Sequence, residues 1–167
     1  MIKKTIIALI ELAILIAIAI LIVFATRSIG FSEDDPCFTA WVICQPNDFV
    51  NAREKPNRKS RECGYFLPGD PVMTDGYSKN GFLRCYGFET GVAWVSEGYV
   101  VYDKPEFVDC TAYSIAKGRL AARKCIGGKR RCWVGVNEEV TVSWMSDEWC
   151  VTNKGFVKTE YLEMEGT

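Results

Sequence analysis

Gly155-Phe156-Val157-Lys158-Thr159-Glu160-Tyr161-Leu162 places a glycine, an aromatic–valine pair and a Tyr-Leu pair in one short segment. Gly91-Val92-Ala93-Trp94-Val95, followed by Tyr99-Val100, runs in the same order earlier in the chain. Working backwards, each segment follows an aromatic step (Asn80-Gly81-Phe82-Leu83-Arg84-Cys85; Asp147-Glu148-Trp149-Cys150) and a Val-rich strand (Pro71-Val72; Val140-Thr141-Val142). Further back lie a long loop and a strand ending in arginine, Val50-Asn51-Ala52-Arg53 and Leu120-Ala121-Ala122-Arg123. Such self-similarity marks a repeat. No window from Pro36 onwards keeps a helical period. Short β-rich runs punctuated by Lys55-Pro56-Asn57, Pro68-Gly69-Asp70, Lys79-Asn80-Gly81, Ile126-Gly127-Gly128 and Asn153-Lys154-Gly155 predict an all-β fold.

In its order of elements the chain resembles two tandem bacterial SH3-like (SH3b) domains. Val50-Asn51-Ala52-Arg53 and the Gly155–Leu162 segment carry that resemblance best; Leu120-Ala121-Ala122-Arg123 and Asn137-Glu138-Glu139 depart from it. It implies two small SH3-like β-barrels, 37–104 and 105–167. It also implies binding of cell-wall polymers or peptides beside the long loop after the first strand.

Residues 5–25 are almost wholly Ile, Leu, Ala, Val and Phe. A helix of that length, rising about 1.5 Å per residue, spans the roughly 30 Å bilayer core. Lys3 and Lys4 precede it, and Glu33-Asp34-Asp35 follow. The positive-inside rule therefore puts 1–4 in the cytosol and everything after the linker 26–36 outside. The apolar run exceeds a usual signal-peptide core, so an uncleaved signal-anchor is expected, with secretion after cleavage near Ala25 as the alternative. Glu11 is shallow enough to snorkel.

The chain has no histidine, which removes the commonest general base and metal ligand. No catalytic residue, metal or cofactor is expected, and the near-balanced charge gives no footprint for nucleic acid. Eight cysteines without a C-x-x-C pair, outside the cytosol, read as structural disulfides. There are 105 possible connectivities. The repeat favours Cys63–Cys85 and Cys132–Cys150, leaving Cys37, Cys44, Cys110 and Cys125 to pair locally or between repeats.

Trp94, Phe156, Phe82 and Trp149 are expected to fill the barrel cores, because domains this small need large side chains inside. Tyr65, Tyr77, Tyr86, Trp133 and Trp144 are freer to stack on a ligand. Eleven of the 20 Lys and Arg residues fall in two windows after the first strands, Arg53–Arg61 and Arg119–Arg131. The expected ligand-binding residues are Arg53, Arg58, Tyr65, Arg123, Lys124, Arg130, Arg131 and Trp133. Such loops suit anionic wall polymers or peptides, although loop charges also simply keep a domain soluble. The leading expectation is a membrane-anchored envelope-binding protein. The alternative is an assembly protein that contacts another membrane or envelope protein.

Overall fold

The computed structural model describes residues 37–89 and 91–165. The expected membrane span 5–25 and linker lie outside these. No helix among the described residues is long and apolar enough to cross a membrane.

The described chain is all-β, in two antiparallel sheets. The first contains β1 (Phe38–Val42), β2 (Val50–Arg53), β3 (Glu62–Phe66), β4 (Pro71–Thr74), β5 (Ser78–Lys79), β6 (Phe82–Phe88), β7 (Gly91–Ser96) and β8 (Val100–Val101). The second contains β9 (Glu106–Ser114), β10 (Leu120–Arg123), β11 (Arg130–Val134), β12 (Glu139–Met145), β13 (Trp149–Thr152), β14 (Gly155–Lys158) and β15 (Leu162–Met164). Their orders are β3-β2-β7-β6-β4-β1-β8 and β11-β10-β14-β13-β12-β9-β15. Apart from β5, which pairs only with β6 and has no counterpart in the second sheet, this is one topology used twice. A 3-10 turn precedes the last strand in each, Glu97–Tyr99 and Thr159–Tyr161. Asn80 and Gly81, both at positive φ, close the β5–β6 hairpin, the conformation an Asn-Gly pair adopts readily.

Neither ladder closes into a barrel. Each path ends at two edges, β3 and β8 in one sheet, β11 and β15 in the other. Each sheet nevertheless surrounds a single core. In the first, Ala40, Val42, Val50, Ala52, Val72, Leu83, Cys85, Ala93, Val95 and Val100 pack together, with Cys63 and Phe66 of β3 against them. In the second, Ala112, Ala122, Val134, Val140, Val142, Cys150, Val157 and Leu162 do the same.

Those cores are built mainly from small and branched residues; of the aromatics expected inside, Phe82, Trp149 and Phe156 are buried, and Trp94 is not. Successive strand residues face opposite sides. Ala93 and Val95 point into the first core, which turns Trp94 outwards. There it is half-buried and edge-on to Tyr77, with centroids 5.9 Å apart. Cys150 and Val157 point into the second core, so Trp149, Val151 and Phe156 face the other way.

They are buried there because the first repeat covers them. Ile43 and Val101 join Trp149, Val151 and Phe156 in a third core, flanked by Trp41, Tyr99, Ile126 and Trp144. Three hydrogen bonds cross the same seam. Ile126 N donates to Gly98 O (2.8 Å), Gln45 Nε2 to Thr152 O (3.0 Å) and Asp147 N to Asp103 Oδ2 (2.6 Å). The described residues therefore form one compact unit, not two beads on a string.

All eight cysteines are thiols in the structure. The registers also remove the symmetry behind the expected pairs. Cys132 lies opposite Ala122, the place Gly64 takes opposite Ala52. Cys150 lies opposite Val157, the place Leu83 takes opposite Val95. Cys85 does have Cys63 as an electrostatic neighbour, whereas the corresponding neighbour of Cys150 is Cys110.

Candidate functional site: two register-matched grooves

The strand taken as the first of each repeat is the second, β2 and β10, behind β1 and β9, and it alternates. Val50 and Ala52, like Ala122, face the core, leaving Asn51, Arg53, Ala121 and Arg123 on the outer face. Arg53 lies opposite Trp94, and Arg123 opposite Phe156. The two arginines perform the same local task. Arg53 Nη1 donates to Ser60 O (2.7 Å) and Nη2 to Glu62 Oε1 (2.9 Å), and Arg123 Nη1 donates to Gly128 O (2.8 Å). Backbone bonds pinch the same loops, Glu54 N to Arg61 O and Lys124 N to Lys129 O, both 3.0 Å. Each arginine thus folds the following loop back over its own strand and forms a wall.

A groove runs beside each wall. The first, about 280 Å³, is lined by Asn51, Arg53, Arg58, Phe82, Ser96 and Tyr99, with Asp48, Phe49 and Val50 at one side. The second, about 420 Å³, is lined by Leu120, Ala121, Arg123, Gly127, Trp149, Lys158 and Tyr161. Strand registers make the two linings equivalent. Phe82 pairs with Ser96 as Trp149 pairs with Lys158. Asn51 matches Ala121, Arg53 matches Arg123, and Tyr99 matches Tyr161 in the 3-10 turns.

Exposed aromatics flank both grooves. Tyr65 lies opposite Asn51, and Trp133 opposite Ala121. Directly opposed residues share a sheet face, so each ring stands on the face that carries its groove. Tyr65 is 64% exposed and edge-on to Phe49, with centroids 5.8 Å apart. Trp133 is 43% exposed, with the Arg130 guanidinium 4.2 Å above its ring.

The eight expected ligand residues therefore divide. Arg53, Arg58 and Arg123 line the grooves, and Tyr65 and Trp133 flank them. Arg130 is stacked on Trp133. Lys124 and Arg131 belong to a different hollow, against Phe156. Sequence reading missed Tyr99, Tyr161, Ser96 and Lys158, and it assigned Phe82 and Trp149 to the core alone. The visible signal was the recurrence of Tyr-Val and Tyr-Leu five residues after an aromatic.

Tyr99 and Lys158 supply polar groups to the grooves. Burial raises the Tyr99 hydroxyl above its ordinary pKa, with Cys125 and Asp48 adding to the effect and Arg58 opposing it. It is a neutral donor at physiological pH. Lys158 is ion-paired with Glu148 (3.7 Å) and Glu160 (3.8 Å) on an exposed face, a weak arrangement that a ligand carboxylate can replace. Burial pushes the Cys44 and Cys85 thiols up to about 12, the opposite of an activated nucleophile. Asp75 is held down at about 2. Burial acts to raise it, but bonds from Arg84, the Tyr77 N–H and Tyr86 prevail. This cluster ties β6 to the turn after β4. No group of three His, Cys, Asp or Glu among the described residues could hold a metal.

No protein-family model matches the chain, and no curated protein matches it. Among solved structures, the chain is similar to the structure of NlpC1 from Trichomonas vaginalis. Identity is 19% over 79% of this chain and 47% of that one, with a TM-score of 0.34. It is also similar to NlpC2 from the same organism, at 18% identity over 77% and 48%, with a TM-score of 0.33. The chain spans about half the length of each, and likeness at this level assigns no activity.

Proposed function

We propose that the chain is a membrane-anchored binding protein acting outside the cytosol. Residues 5–25 hold it in the membrane, and two fused SH3-like repeats bind a cell-wall polymer or wall peptide. The observation that carries this reading is the register-matched pair of grooves. Both repeats use the same strand positions to combine an arginine-folded wall, a tyrosine in the closing turn and an exposed aromatic alongside. Core packing does not require the exposed members of that combination, Tyr65 and Trp133. An aromatic floor with cationic edges suits a chain that offers apolar or sugar faces and carboxylates or phosphates.

The test is co-sedimentation of the full chain, in detergent, with isolated cell-wall material. Retention is expected at about 0.02 M salt, with release near 1 M, where the Debye length falls to about 3 Å. Tyr161→Ala is expected to weaken retention about tenfold, the scale of one lost aromatic contact. Full-length protein that stays in the supernatant at low salt would overturn the reading. Crosslinking in membranes that then captured a protein partner would favour the assembly alternative.

A further inference from the structure

The first groove does not end at its own repeat. It shares Asp48 and Tyr99 with a second hollow of about 270 Å³, lined also by Gln45 from the first repeat and by Lys124, Arg131 and Phe156 from the second. The geometry points to one composite site crossing the seam, which takes an extended acidic peptide with its carboxylates on Arg58, Lys124 and Arg131. This rests on the groove-binding reading above and names the ligand class of that site.

Three observations carry it. First, the cations come from both repeats. Arg58 lies in the loop after β2, Lys124 just after β10, and Arg131 on β11. All three are exposed, and none is in an ion pair among the described residues. Neither repeat alone could assemble them. Second, the seam holds the two halves in fixed register through the Gln45–Thr152 bond and the Tyr99–Phe156 contact, whose centroids lie 5.8 Å apart. The site is therefore preorganised, which lowers the ordering cost of binding. Third, the hollow presents acceptors as well as cations. Gln45 uses its Nε2 on Thr152 O, which leaves its carbonyl oxygen to accept. Asp48 accepts from Phe49 N through one oxygen (2.8 Å), and the other remains. A peptide supplies N–H donors for these acceptors and spaced carboxylates for the cations. A polyphosphate has no donor to give and would bring dense negative charge against Asp48.

The experiment is calorimetric titration of the full chain with an end-blocked heptapeptide of alternating glutamate and alanine, with polyphosphate as competitor. The peptide is expected to bind the wild type. K124E/R131E should weaken it at least about tenfold, while K104E/K117E, two cation-to-glutamate changes at exposed positions outside the hollow and both grooves, should stay within about twofold. Thermal melts check that both variants remain folded. Equal binding to K124E/R131E, no binding to the wild type, or displacement of the peptide by polyphosphate at lower concentration would each overturn the proposal. The two readings fail separately. A chain that sediments with wall material yet ignores the peptide sinks only the composite site, whereas a chain that does neither sinks both.

Discussion

Phe156→Ala is expected to destabilise the folded chain by about 3–5 kcal/mol, the usual cost of deleting a buried phenylalanine ring. Phe156 is 2% exposed and sits in the seam core with Ile43, Val101, Trp149 and Val151. Removing it opens a cavity between the repeats, so both should lose stability together. In chemical denaturation the wild type is expected to show one transition. The variant should show either a lower midpoint or two transitions, as the repeats uncouple. Trp94 is the control, because it occupies the same register position in the first repeat, opposite Arg53 as Phe156 is opposite Arg123. It is only half-buried and belongs to no core cluster. Trp94→Ala should cost about 1 kcal/mol, the ordinary scale of a point substitution. A loss below about 1 kcal/mol for Phe156→Ala would mean that the seam does not bind the repeats together.

Gly155→Ala is expected to be comparably severe, for a backbone reason. Gly155 has φ +131°, a conformation L residues rarely adopt, and a Cβ there would stand 2.4 Å from Arg123 O. Backbone strain of this kind costs about 1–3 kcal/mol before any clash is counted. The clash is with main chain, so β10 and β14 would have to separate. That movement disturbs Arg123 and the loop it folds, so groove binding should fall along with stability. Gly91→Ala provides the comparison. Its φ is also positive, +81°, but a Cβ there meets nothing within 4 Å. Only conformational strain remains, about 1–2 kcal/mol. Equal midpoints for the two variants would contradict the close approach at Gly155.

The β class and the repeat were legible because the same punctuation recurs twice, although β1 and β9, which open each repeat, were not read. Alternation in Val50-Asn51-Ala52-Arg53 and Glu139-Val140-Thr141-Val142 shows which residues turn inwards, and the structure buries those. The seam was harder to read, because an apolar residue covered by a neighbouring repeat looks, in sequence, like one facing its own core. A clue was present. Trp149-Cys150-Val151-Thr152 and Gly155-Phe156-Val157 are nearly continuous apolar runs, the mark of strands buried on both faces, whereas Leu83-Arg84-Cys85-Tyr86 alternates. The basic windows fall on the loops that wall the grooves, but the sequence did not show how the cations divide within them. Arg53 and Arg123 fold the loops, while Arg58, Lys124 and Arg131 are exposed and in no ion pair among the described residues. Tyr65 and Trp133 could be singled out as exposed aromatics. Tyr99 and Tyr161 could not, because a tyrosine before a closing Val or Leu reads first as part of a strand. The repeat symmetry behind the suggested cysteine pairs does not hold in register, since Cys63 and Cys132 are offset by one residue relative to the strands they face.

The most direct test of the account is hydroxyl-radical footprinting of the full chain with and without soluble cell-wall fragments. Protection is expected in both repeats at matched places, at Phe49, Tyr65 and Tyr99 in the first and at Trp133, Trp149 and Tyr161 in the second. Exposed aromatics away from the grooves, such as Phe38 and Tyr102, should be unchanged. Protection confined to those distant residues, or no protection while the fragments are bound, would contradict the claim that the paired grooves are the binding surface.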